Sequence, residues 1–137
     1  MVSSLSPEQT LAYVKHIGLP TRYHPDSRLA HDIAFLTALH THNISTIPYD
    51  NLTLHYSASK KIVIDPQHTF RKIVTDGRGR GGYCMENSIL FNHVLRGLGF
   101  DAYTAGVRIR LRAPDGVPSG ITFTSSHLNA AKTTLQS

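Results

Sequence analysis

The chain has 137 residues, a formal charge of +5, 40% apolar residues and one cysteine. That suits a single ordinary domain with a real core, and the lone thiol rules out an internal disulfide or a cysteine-rich zinc site. No apolar run approaches the ~18 residues of a membrane span, Met1 to Pro7 lacks the regions of a signal peptide, and reducing cytoplasm is the expected setting.

Ser6, Pro7 and Gln9 form a capping-box start with proline at the first helical position, leading into Leu11, Val14 and Ile17 until Gly18 and Pro20. A second helix is predicted to open near Asp26. It carries Leu29, Ile33, Leu36 and His40 at helical spacing, with Phe35 and Leu39 beside them, and ends before Ile47 and Pro48. Leu52 to Tyr56 and Lys61 to Asp65 alternate like two short strands, a small hairpin. Pro66 opens a short helical stretch over 67–75.

Asp76 to Asn87 then holds the single cysteine, four of the ten glycines and two arginines. Glycines at 77, 79, 81 and 82 do not suit a helix interior, whereas the residues from Cys84 to about Leu98 read as helix, so Cys84 falls at a helix start. The first turn of a helix has unpaired N–H groups and a partial positive charge, which favours thiolate over thiol. The glycines would let backbone N–H groups approach a substrate oxygen. Phe91, Leu95 and Leu98 put the thiol on the side of the buried stripe.

After Gly99 the period changes to two. Val107, Ile109 and Leu111 alternate with Arg108, Arg110 and Arg112, a turn follows at Pro114 to Pro118, and Ile121 to Asn129 returns with Ile121, Phe123, Ser125 and His127 on one side. Helices first and strands later give an α+β class. His127 is the inward base that a thiol nucleophile requires.

Other readings are weaker. Gly77, Gly79 and Gly82 fit a dinucleotide fingerprint with Asp101 downstream, but the preceding segment looks helical and Asp101 starts a strand. His40 and His42 point to different faces of a helix, and His93 lies roughly 13 Å along the helix from Cys84, so no metal or proton-sharing pair results. Basic residues, including Lys60, Lys61 and Arg78, are scattered, which fits a phosphate-bearing cofactor better than nucleic acid. A cysteine in this position is also compatible with an inert core thiol.

Arg80, Gly81, Gly82, Tyr83, Cys84, Met85 and Glu86 resemble the Arg-Gly-Gly-x-Cys-x-Glu signature of the arylamine N-acetyltransferase family. Ile47 to Leu52 is similar to the family's Pro-Phe-Glu-Asn-Leu segment, Gly97 to Phe100 to its Leu-Gly-Phe, and Tyr13 to Gly18 fits its opening helix. The resemblance runs from Leu5 to about Asn129. It implies a cysteine-protease-like core with an N-terminal helical domain at 1–99, the first strands of an antiparallel β-barrel at 100–129 and an atypical tail at 130–137. It also implies that Cys84 is the nucleophile, His127 the base and acetyl-CoA the acyl donor. The acceptor would be an aromatic amine or hydrazine, and Arg80 would pair with Asp50 to support the site along with Gly81, Gly82 and Glu86. No metal, nucleic acid or membrane is implied. The family's triad aspartate has no counterpart after His127, so the resemblance implies a truncated member of the family whose activity is doubtful. The alternatives are a non-catalytic remnant that acts as an interaction fragment, or a thiol hydrolase of the papain or transglutaminase type.

Overall fold

A computed structural model describes residues 2–24, 32–112 and 118–132, with side chains described as far as residue 105. The predicted turn at Pro114 to Pro118 falls largely outside them, as do Asp26, Leu29 and the tail beyond Lys132.

Helix α1 (Pro7–His16) has the expected capping box: the Ser6 hydroxyl accepts from the Gln9 N–H, and the Gln9 side chain accepts from the Ser6 N–H. Pro7 has no N–H, so this satisfies two of the three N–H groups left unpaired at the helix start. A short 3₁₀ turn (Thr21–Tyr23) leads toward α2 (Ile33–Thr46). Asp32, not Asp26, caps α2. Its backbone is extended and its side chain accepts from the Phe35 N–H at 2.8 Å, so no helix runs through it. The buried face is Phe35 and Leu39, four residues apart, while Ile33 is 72% exposed. Two overlapping apolar stripes competed in this sequence, and contact with the core selected the other one.

Leu52–Tyr56 is a helix (α3), not a strand, and Lys61 to Asp65 pairs with no strand among the described residues. The alternation at Leu52 to Tyr56 was misleading because Asp50 supplies a local helix start, its carboxylate accepting the Leu52 N–H at 3.2 Å. Helix α4 (Pro66–Phe70), capped by Asp65, continues into a π-helical turn (Arg71–Thr75) in which the Asp76 N–H bonds the Arg71 carbonyl at 2.9 Å. Helix α5 (Cys84–Gly97) begins at the cysteine. Strands β1 (Asp101–Arg112) and β2 (Pro118–Lys132) pair antiparallel, β2 running three residues past Asn129.

The core gathers Tyr13, Val14 and Ile17 of α1, Phe35 and Leu39 of α2, Ile73, and Leu90, Val94 and Leu95 of α5. Each such side chain contributes about 1.5–3 kcal/mol on burial. Tyr23, Phe35 and Phe100 stack with centroids 5.6 Å apart at each step, joining the 3₁₀ turn, α2 and the exit of α5. Tyr13 hydrogen-bonds Asn43, and burial pushes its phenol above its ordinary pKa. Helix α5 also lies against both strands.

His93 of α5 holds the N-terminal segment: the Ser3 hydroxyl donates to its carbonyl at 2.7 Å and the Ser4 N–H to its Nδ1 at 2.9 Å. Burial, then repulsion from Arg96, holds the imidazole below its ordinary range, with Asp65 acting in the opposite sense. A histidine whose folded pKa is depressed contributes stability that is present above its unfolded value near 6.5. That stability is lost as pH falls through the lower folded value, because Nδ1 then carries a proton facing the Ser4 N–H. Melting temperature is therefore expected to fall as pH drops below about 6.5, and a His93→Gln chain to show a flatter profile by circular dichroism. Identical slopes would contradict this latch.

Candidate active site

The segment after α2 builds the floor of the site. Ile47 is buried, and the residues that follow pair with the glycine loop. The Asp50 N–H donates to the Gly82 carbonyl at 3.1 Å, the Gly82 N–H to the Pro48 carbonyl at 3.4 Å, and Tyr49 and Gly82 form a parallel bridge. This pairing sets the Asp50 carboxylate under the loop. Oδ2 accepts the Gly81 N–H at 2.9 Å and Arg80 Nε at 3.3 Å, while Oδ1 accepts Arg80 Nη2 at 3.4 Å and the Leu52 N–H. Arg80 also reaches Thr53 Oγ1 at 3.4 Å.

Partial burial pushes the Asp50 carboxyl up, but the Arg80 guanidinium and the Gly81 and Leu52 N–H groups outweigh it and hold the carboxyl below its usual range. The Arg80 to Asp50 pair is partly exposed, so it contributes geometry more than energy. Asp50 has one methylene fewer than a glutamate, yet the pair forms.

Gly77 and Gly79 have positive φ, 57° and 65°, where a side chain is strained. Gly81 is required for another reason, since a Cβ there would lie 1.7 Å from the Pro48 carbonyl oxygen. At Gly82 a Cβ would meet the Asn87 side chain at 2.8 Å and Glu86 Cβ at 3.0 Å.

Cys84 opens α5 and is exposed. It does not share the cover of the buried stripe, because side chains lean toward a helix N-terminus and that of the first residue projects past the helix end. The glycine N–H groups are not free for a substrate oxygen: Gly81 donates to Asp50 and Gly82 to Pro48. The Tyr83 N–H donates to Glu86 Oε2 at 2.8 Å. What remains is the first turn of α5, whose N–H groups have no acceptor within the helix. Tyr49 and Tyr83 flank this loop, 69% and 41% exposed.

Cys84, Arg80, Asp50, Gly81, Gly82 and Glu86 thus meet at one loop–helix junction. His127 lies on β2, where Ala105 pairs with Leu128 and Val107 with Ser125, so Ser126 and His127 stand opposite Gly106 at a shift of register.

Sequence reasoning missed two contributors. Lys72 of the π-helical turn pairs with Glu86 at 2.6 Å, and Asn87 donates from Nδ2 to the Pro48 and Gly82 carbonyls at 3.3 and 3.2 Å. Nothing in the sequence marks Lys72 as a partner of Glu86 on another element. Asn87, one helical turn after Tyr83, was visible only as part of the motif stretch. The dinucleotide fingerprint fails structurally, because a π-helical turn and no strand precedes its glycines. Among the described residues, no group of three His, Cys, Asp or Glu side chains is arranged to hold a metal, and no helix is long and apolar enough to cross a membrane.

A family model described as N-acetyltransferase matches residues 32–131. An N-malonyltransferase of Fusarium pseudograminearum is 40% identical over 76% of this chain and 32% of its own length. An arylamine N-acetyltransferase of Gallus gallus, the pineal gland isozyme NAT-10, is 37% identical over 57% of this chain and 26% of its own. The crystal structure of the Nocardia farcinica arylamine N-acetyltransferase superposes with a TM-score of 0.65 at 26% identity, covering 97% of this chain and 40% of that one. The chain belongs to this N-acetyltransferase family and superposes on part of its fold. It spans between about a quarter and a third of the length of these curated relatives.

Proposed function

We propose that this chain carries the acyl-accepting half of an arylamine N-acetyltransferase, with Cys84 as nucleophile and His127 as base. The observation that carries the reading is an exposed thiol at the first residue of α5, on a loop fixed by Arg80, Gly81 and Asp50. His127 takes the thiol proton. The thiolate attacks the acetyl-CoA carbonyl, and the thioester forms on Cys84 as the bond to the CoA sulfur breaks. The imidazolium gives its proton to that sulfur, leaving CoA as the thiol and His127 neutral. An aromatic amine or hydrazine then attacks that thioester, its proton passes to the imidazole, and the thiol is regenerated. First-turn N–H groups of α5 face the developing oxyanion. Exposed Tyr49 and Tyr83 offer ring faces to an aromatic acceptor.

On this reading residues 1–99 are the helical domain and β1–β2 the opening hairpin of a β-barrel, and the single thiol suits the reducing cytoplasm. No residue after His127 in these 137 is acidic. A serine protease lacking its orienting aspartate loses about 10⁴ in rate, so slow acylation is expected of a polypeptide of these residues alone.

A second reading, supported by the 40% identity to an N-malonyltransferase, takes malonyl-CoA as donor. Exposed Arg78 in the glycine loop is a cation available to the extra carboxylate. Steady-state transfer to an arylamine from each acyl-CoA tests both readings. Parallel double-reciprocal lines, the ping-pong pattern, are expected, and the faster donor selects between them. Ester or peptide turnover without CoA would instead indicate a thiol hydrolase. No transfer from either donor would leave a non-catalytic remnant.

A further inference from the structure

We propose that Lys72 is a positioning residue for the Cys84 thiol, acting through Glu86; this rests on reading Cys84 as the nucleophile. Glu86 is only 1% exposed and divides its carboxylate between two tasks. Oε1 meets Lys72 Nζ at 2.6 Å, and Oε2 accepts the N–H of Tyr83, the residue that caps α5 directly before Cys84. The carboxylate also packs beneath Gly82, where a Cβ would lie 3.2 Å from Oε2. Lys72, 11% exposed, sits in the π-helical turn Arg71–Thr75, a rare geometry that recurs at functional sites.

A buried carboxylate deprived of its cation is strongly destabilised where it lies, and at neutral to alkaline pH, where protons are scarce, it relieves that cost by moving toward water. Here that movement releases the Tyr83 N–H, frays the start of α5 and displaces the first-turn N–H groups that face the thiol. Lys72 therefore holds the helix start on which thiol reactivity depends, without touching the thiol.

Cys84 is the chain's only cysteine, so labelling by iodoacetamide reports on it alone. Rates are measured from neutral to alkaline pH, at a temperature where circular dichroism shows each variant folded. Lys72→Met is expected to label roughly 3- to 10-fold more slowly, with its rate profile displaced to higher pH. Lys72→Arg is expected to restore the rate. So is the double variant K72M/E86Q, because the glutamine oxygen accepts the Tyr83 N–H with no charge left to solvate.

A folded Lys72→Met chain that labels like the parent overturns the proposal, leaving Lys72 as a tie between the π-helical turn and α5. If Lys72→Met does not fold, Lys72→Gln takes its place under the same reading: slower labelling with a profile displaced to higher pH supports the proposal and parental labelling overturns it. If Cys84 accepts no acyl group, the acyltransferase reading falls, while these rates still decide the role of Lys72.

Discussion

Replacing Gly81 by alanine is expected to dismantle the site. A Cβ 1.7 Å from the Pro48 carbonyl oxygen meets backbone, which has no rotamer to yield, so the loop and the Pro48 to Asp50 segment must separate. Separation removes the Gly81 N–H from Asp50 and the Gly82 N–H from Pro48 together. Overpacking costs about 1–3 kcal/mol and each of the two stranded N–H groups up to about as much again, less where water reaches it, so a loss of at least about 3 kcal/mol is expected. For a chain of this length that lowers the melting temperature by on the order of 10 °C. Displacing Cys84 by as little as ~1 Å costs about 100-fold in any transfer it performs.

Gly82→Ala is the control. The nearest atoms to its Cβ would be side-chain atoms of Asn87 and Glu86, not backbone, and a cost of about 1–3 kcal/mol is expected as Asn87 shifts and its bonds to the Pro48 and Gly82 carbonyls weaken. Thermal melts of the two variants compare these directly. A Gly81→Ala chain as stable as the parent, or less affected than Gly82→Ala, contradicts the close approach at Pro48.

Cys84→Ser separates chemistry from folding. The thiol is exposed, so the change is expected to alter stability by no more than about 0.5 kcal/mol. A serine hydroxyl at a helix start remains protonated and a poor nucleophile, so acyl transfer is expected to fall by ~10⁴-fold or more. Unchanged melting with abolished transfer is the signature of a nucleophile. Lost melting would show that Cys84 is packed after all, and retained transfer would place the acyl group elsewhere.

Much of this junction was legible because its signals are local. Ser6, Pro7 and Gln9 specify the start of α1 within four residues, and the glycines followed by a helical pattern place Cys84 at the first residue of α5. The Arg80 partner was also legible, but through the family motif and not from spacing, since Asp50 lies on a separate segment. Errors arose where tertiary contact chose between local options. Leu52 to Tyr56 alternates like a strand, yet the Asp50 carboxylate that grips Arg80 also starts α3. Phe35 rather than Ile33 faces inward because Tyr23 and Phe100 supply the rings it stacks on. The freedom assigned to the Gly81 and Gly82 N–H groups was wrong for a related reason. Their acceptors, Asp50 and Pro48, approach only in the folded chain.

The central claim, that Cys84 accepts the acyl group, is tested by intact mass. The chain is incubated with excess acetyl-CoA, then with an arylamine, beside a Cys84→Ser control. One acetyl group should appear per chain, be removed by hydroxylamine as a thioester is, map to Cys84 and be discharged by the arylamine. An unmodified chain after prolonged incubation, or a hydroxylamine-resistant acetyl group that persists in the Cys84→Ser control, would contradict the account.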